Sequence, residues 1–172
     1  QIFQGLFATG DAFTLYFGML ALILGATSLV NARVVRRLGM KALCRRASLC
    51  IAAASAVFVA LNLAVQVELW MFLLYSAVLF ACFGFMFGNL NAMAMEPMGH
   101  CAGIASAIIG TTSSLCSIAI GTLVGQLYDG TLLPIASAFL VLSLSSVVVM
   151  RAMDGGGLAV PQPAIAAVES RD

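Results

Sequence analysis

Five apolar runs divide the sequence, and each is long enough to cross a lipid bilayer as an α-helix. A spanning helix needs about 20 mostly apolar residues, because each residue adds about 1.5 Å to its length. The runs predict helices at about 13–35, 47–67, 69–95, 101–127 and 132–152. The alternation typical of transmembrane β-strands is absent, which leaves helices as the spanning elements. The predicted fold class is an all-α, polytopic membrane helix bundle with five transmembrane helices.

The two ends of the chain lie outside these runs. The chain begins at Gln1 without a basic segment before a short apolar core, so the sequence shows no signal peptide. Residues 1–12 are interpreted as the remnant of an extracytoplasmic loop, and an odd helix count fits a fragment of a longer protein. Residues 153–172 contain three consecutive glycines and two prolines, which predicts a disordered cytoplasmic tail.

The composition agrees with a lipid environment. Hydrophobic residues make up 62% of the chain and charged residues 9%. Soluble domains are about 45–50% apolar and about 25% charged, so a soluble fold of this length could not bury so much apolar surface. No basic stripe alternates with aromatic residues, which argues against nucleic-acid binding.

Positive charge is concentrated in one connection between apolar runs. Six of the eight basic residues lie between Arg33 and Arg46, and the other connections contain no lysine or arginine. Lysine and arginine accumulate on the cytoplasmic side of membrane proteins, so this loop and the C-terminal tail are predicted to be cytoplasmic. The connections near Glu68 and Asp129 then lie outside and the one near Glu96 inside, which gives five spans of consistent polarity in the inner cell membrane.

Residues 31–41 read Asn-Ala-Arg-Val-Val-Arg-Arg-Leu-Gly-Met-Lys. Determination of topology is the simplest interpretation of this loop. It also resembles a degenerate second copy of the cytoplasmic-loop signature of the major facilitator superfamily, whose fuller form is G-x-x-x-D-R-x-G-R-R. Arg37, Gly39 and Lys41 match the signature, whereas Arg36 stands in place of its aspartate. The resemblance implies a cytoplasmic gate or loop motif.

A second resemblance is carried by residues 88–103 and their continuation through 105–131. These stretches include Gly88-Asn89-Leu90-Asn91 and Gly125-Gln126-Leu127-Tyr128-Asp129-Gly130. They resemble the tenth and eleventh helices of Bcr/CflA-type multidrug exporters within that superfamily, and the resemblance covers about residues 13–152. It implies that the chain holds helices eight to twelve of a secondary-active exporter of small drug-like molecules.

Such an exporter works by alternating access and is expected to be proton-coupled. The resemblance implies four partners, namely membrane lipid, the missing N-terminal half of the same transporter, a small-molecule substrate and protons. The fragment alone is expected to be inactive, because half of the site is missing. Every acidic residue falls near a span end or in the tail, so a coupling carboxylate would have to lie in the missing part.

The sequence bears on two other functional classes. A small five-helix structural or assembly protein, complete as it stands, is the alternative. An intramembrane enzyme is disfavoured because the sequence has no GxSxG or HExxH motif, no second histidine and no carboxylate pair within a span. The five cysteines form no CxxC pair and are interpreted as small apolar residues, so no metal site or cofactor is predicted.

Four residues are candidates for the substrate cavity: Asn89, Asn91, Phe83 and Ser114. Amides within a membrane need partners, and Asn89 and Asn91 are two residues apart, so they cannot share one helix face. A helix–helix hydrogen bond and a substrate contact are both open for them. Phe83 belongs to a run of phenylalanines on one face, which fits a packing stripe or an aromatic wall.

Small residues recur at helical spacing in the third and fourth predicted helices. The glycines assigned to helix packing are Gly84, Gly88, Gly103, Gly110, Gly121 and Gly125. Small stripes let helices approach closely in lipid, either as static contacts or as a sliding interface during alternating access. Glu96 is expected either to pair with Arg36 or Arg37 and so latch an inner gate, or to remain a solvated interfacial carboxylate.

Overall fold

A computed structural model describes residues 12–127 and 130–155. Within these residues the α-helices are α1 (Ala12–Leu38), α2 (Met40–Ala64), α3 (Leu69–Met95), α4 (Ala102–Gln126) and α5 (Leu133–Gly155), with a 3-10 helix at Glu96–Cys101. All five α-helices are long and apolar enough to cross a membrane. This confirms the all-α fold with five candidate spans. The predicted loop remnant and most of the predicted tail lie outside the described residues.

The basic stretch between the first two spans is helical, which corrects the loop predicted there. α1 continues to Leu38 and α2 begins at Met40, so only Gly39 separates them. Gly39 has φ 78° and ψ 153°, a backbone conformation that favours glycine. Arginine, lysine, leucine and alanine form helices well, so both helices extend beyond their apolar runs. The end of an apolar run marks the edge of the hydrocarbon layer and not the end of the helix.

α3 is the central helix of the bundle. Both α1 and α2 pack against it, and α2 also packs extensively against α5. The buried core lies where these helices meet and comprises Ala47, Ile51, Phe58, Phe72, Tyr75, Leu79, Cys82, Leu132 and Ala136. α4 stands apart, because it touches α3 and α5 only weakly and Ala105 is its one buried residue among those described.

Polar side chains link the packed helices within this apolar core. The hydroxyls of Ser55 on α2 and Tyr75 on α3 lie 2.9 Å apart, and the Tyr75 ring stacks on Phe58 with centroids 4.2 Å apart. Between α2 and α5, the hydroxyls of Ser48 and Ser146 lie 3.4 Å apart. Hydrocarbon offers no hydrogen-bonding partners, so these groups must satisfy one another. Each contact therefore fixes the position of one helix against another.

Replacing Tyr75 with phenylalanine should lower the free energy of unfolding by about 1 kcal/mol, because the hydrogen bond to Ser55 is lost while the ring stacking is retained. The measurement is unfolding of the purified chain in mixed detergent micelles. Ser145→Ala is the control, since the Ser145 hydroxyl donates only to the Val141 carbonyl of its own helix. A Tyr75→Phe cost that is unchanged in a Ser55→Ala background would show that the hydroxyl pair does not contribute.

Candidate functional site

A groove of about 770 Å³ lies between α3 and α4. From α3 it is lined by Phe87, Leu90, Asn91 and Ala94. From α4 it is lined by Ile109, Gly110, Ser113, Ser114, Ser117 and Ile118. Pockets for small molecules are typically about 300–1,000 Å³, so the groove is large enough to take a drug-sized ligand.

The groove exists because α4 packs only weakly against α3 and presents small side chains toward it. The two helices are joined by the 3-10 helix, within which Met98 has non-helical dihedral angles of φ −115° and ψ 24°. Pro97 favours this break, since it cannot continue the hydrogen-bond ladder of α3. A Cβ atom placed at Gly88 or Gly110 would meet no other atom within 4 Å. Glycine and serine on α4 are therefore too short to close the space.

The lining of the groove is amphipathic and uncharged. The Asn91 amide donates to the Phe87 carbonyl at 2.9 Å, which leaves its Oδ1 without a partner among the described residues. The hydroxyls of Ser113, Ser114 and Ser117 likewise make no hydrogen bond within the described part of the chain. Aliphatic side chains and the exposed Phe87 ring supply the remaining surface. The groove can thus offer hydrogen bonds and apolar contact to one ligand.

Two of the four predicted cavity residues line the groove, and two lie elsewhere. Asn91 and Ser114 face it from α3 and α4. Asn89 is 4% exposed and belongs to the interface of α3 with α1. Phe83 packs toward α5, with its ring centroid 6.0 Å from that of Phe139. Phe83 was expected to belong to either a packing stripe or an aromatic wall of the cavity, and this position fits the packing stripe.

Asn89 forms a reciprocal amide pair with Asn31. The Asn89 Nδ2 donates to the Asn31 Oδ1 at 2.8 Å and to the Phe85 carbonyl at 2.7 Å, and the Asn31 Nδ2 donates back to the Asn89 Oδ1 at 3.3 Å. Asn31 was not predicted as a site residue. The distance of each asparagine from its helix end could have indicated the pair. Asn31 lies seven residues before the end of α1 at Leu38, and Asn89 lies six residues before the end of α3 at Met95, so the two amides lie at similar depths in the membrane.

The residues of the predicted gate share one end of the bundle, but the structure does not pair them. Arg36 and Arg37 are exposed in the last turn of α1, and Lys41 is exposed in the first turn of α2. Glu96 begins the 3-10 helix. No ion pair within 4.0 Å joins Glu96 to Arg36 or Arg37 among the described residues. The predicted latch is therefore not formed in this structure.

The glycines assigned to helix packing divide into one close contact and several open positions. A Cβ atom at Gly84 would lie 2.8 Å from the Leu24 carbonyl oxygen of α1. The other five face open space: Gly88, Gly103, Gly110, Gly121 and Gly125. The predicted small-residue stripe on α4 has no packing partner among the described residues. No cluster of three or more potential metal ligands occurs there either.

No family model matches the chain, and no curated protein or solved structure is similar enough to it to count as a match. A function has to be inferred from the residues of the chain itself.

Proposed function

We propose that the chain is the C-terminal portion of a secondary-active transporter of the major facilitator superfamily, of the Bcr/CflA type. α1–α5 would correspond to helices eight to twelve. It would export small drug-like molecules by alternating access, with proton coupling. The observation that carries the proposal is the amphipathic groove between α3 and α4, within the membrane-spanning length of both helices.

A transport pathway needs a ligand-sized cavity at membrane depth that can be exposed to either side. The groove supplies the cavity, and the weak packing of α4 leaves one of its walls free to change position. α4 also presents a broad uncovered surface, which includes Ile104, Ile108, Leu115 and Ile118. A missing N-terminal half of the transporter would cover that surface and complete the pathway.

Proton coupling would depend on the missing half. Among the described residues the acidic positions are Glu68, Glu96 and Asp154, and each lies at or beyond the end of an α-helix or in its last turn. A titrating carboxylate of a proton-coupled transporter lies along the pathway inside the membrane. The proposal therefore places that group outside this chain.

The test uses the complete reading frame, expressed in a host without its own drug efflux pumps. We expect the region upstream of Gln1 to encode seven further apolar spans. The wild-type protein should raise resistance to members of a panel of drug-like compounds, and Ser114→Trp should abolish this resistance because the indole would fill the groove.

Val148→Trp is the matched control for the filled groove. Val148 is on α5, is 64% exposed and does not line the groove. Resistance should persist in this variant at the same level of membrane expression. Resistance that survives Ser114→Trp would show that the groove is not the transport pathway. A wild-type protein that exports no compound of the panel would refute the proposed transport function.

A further inference from the structure

The strongest concentration of charge lies at one end of the bundle, which we call the basic end. Six cations are exposed there: Arg33, Arg36, Arg37, Lys41, Arg45 and Arg46. The first three belong to the last six residues of α1, and the other three to the first seven residues of α2. At about 1.5 Å per residue, all six charges fall within about 10 Å of the turn at Gly39.

The depth of this band matches the headgroup layer of a membrane. The apolar parts of the two helices, residues 13–32 of α1 and 47–64 of α2, are about 27–30 Å long at 1.5 Å per residue. A hydrocarbon layer is about 30 Å thick, with about 5–8 Å of headgroup region on each side. When the apolar parts lie in hydrocarbon, the six cations lie among the lipid phosphates.

The stretches of α1 and α2 that form this band carry no acidic residue, and Asp154 lies in the last turn of α5 at the same end of the bundle. No acidic residue occurs anywhere between Arg33 and Val67. Glu96 is at the same end but forms no ion pair with Arg36 or Arg37. Lys41 lies in the first turn of α2, where its positive charge is repelled by the positive end of the helix dipole. That turn contains no acidic residue to offset the repulsion. A bound anion would relieve both the crowding of charge and the unfavourable dipole.

We propose that the basic end binds the phosphate groups of anionic phospholipids, such as phosphatidylglycerol, in the leaflet that surrounds it. Five of the six cations are arginines, whose planar guanidinium groups bind phosphate oxygens in pairs. Exposed apolar side chains adjoin the band, with Leu29 73% and Val30 45% exposed on α1. Acyl chains can cover these side chains, whereas a free phosphate ion could not. The proposal does not depend on transport.

The test measures lipid selectivity of the purified chain in symmetric vesicles of phosphatidylcholine and phosphatidylglycerol. Spin-labelled forms of the two lipids report which one associates with the protein. Phosphatidylglycerol should be preferred at low salt, and 1 M NaCl should remove the preference. Both leaflets have the same composition, so the direction of insertion cannot produce this result. A role of the cations in topology alone therefore predicts no preference.

A matched pair of variants locates the site. Arg37→Gln removes one exposed charge from the band, and Glu68→Gln removes one exposed charge from the opposite end of the bundle, where Glu68 precedes α3. Arg37→Gln should weaken the preference by up to about fivefold, which is the contribution expected of one cation near a membrane surface. Glu68→Gln added to Arg37→Gln restores the net charge but should not restore the preference, and Arg37→Lys should retain most of it.

Three outcomes would overturn the proposal. The first is equal association of both lipids with the wild-type chain. The second is recovery of the preference when Glu68→Gln is added to Arg37→Gln, which would assign the effect to net charge. The third is displacement of phosphatidylglycerol by inorganic phosphate, but not by chloride, at the same ionic strength, which would identify a site for a free anion. The wild-type salt dependence decides the matter even if a variant fails to fold.

Discussion

Replacing Gly84 with valine will separate α1 from α3 and lower the free energy of unfolding by about 3 kcal/mol or more. A Cβ atom at this position would lie 2.8 Å from the Leu24 carbonyl oxygen and 3.0 Å from the Thr27 Cβ. The Leu24 oxygen belongs to the backbone of α1, so the whole helix must move to make room. Helix association in lipid depends on such close packing, because apolar surface alone gives no preference for protein over lipid.

Gly88→Val is the matched control, since it places the same side chain one turn further along α3. A Cβ atom there would meet nothing within 4 Å, so we expect a change within about 0.5 kcal/mol. Unfolding of both variants in mixed detergent micelles gives the comparison. Gly84→Ala should also destabilise the chain, because the clash begins at the Cβ atom. Equal effects at positions 84 and 88 would show that α1 does not pack on α3 through Gly84.

The apolar pattern predicts where spans lie better than where helices end. The bounds of α3 agree with the predicted 69–95, because Glu68 precedes the apolar run and Glu96-Pro97 follows it. Between α1 and α2 the pattern suggested a long loop, whereas the structure has one residue there. Charged helix formers end an apolar run without ending a helix, so hydropathy could not locate that turn.

Periodicity predicts which residues share a helix face but not which helix lies opposite. Asn91 and Ser114 were expected at a cavity, and both line the groove. Asn89 has the same side chain as Asn91, and only the packing of α1 on α3 shows that its hydrogen-bonding partner is Asn31. The small-residue stripe of α4 shows the same limit, because its spacing indicates a packing face whose partner is not among the described residues.

Polar contacts between helices separate α4 from the rest of the bundle. Hydrogen bonds between side chains join α1 to α3, α3 to α2 and α2 to α5. Within the described residues no such bond reaches α4, and the Ser106 hydroxyl donates to the Gly103 carbonyl of its own helix. The width of the groove is therefore set by one weakly held helix against a linked group of four.

Replacing Asn89 with leucine will cost about 2 kcal/mol, which is more than the cost of replacing both Asn31 and Asn89 with leucine. The single change leaves the Asn31 amide without its partner in an apolar interface, and an unsatisfied buried polar group costs about 1–3 kcal/mol. The double change removes both polar groups and restores apolar contact. A double-mutant cycle on the free energy of unfolding measures the coupling directly, which in membrane proteins reaches about 1.7 kcal/mol.

Asn91→Leu is the control for the amide pair, and it also separates packing from ligand contact. Asn91 is exposed and donates only to the Phe87 carbonyl of its own helix, so its replacement should leave stability nearly unchanged. Because Asn91 lines the groove, the same change should weaken ligand binding there, whereas the Asn31/Asn89 double variant should not. Strictly additive costs for Asn31→Leu and Asn89→Leu would contradict the pair, since two groups that satisfy each other cannot be lost independently.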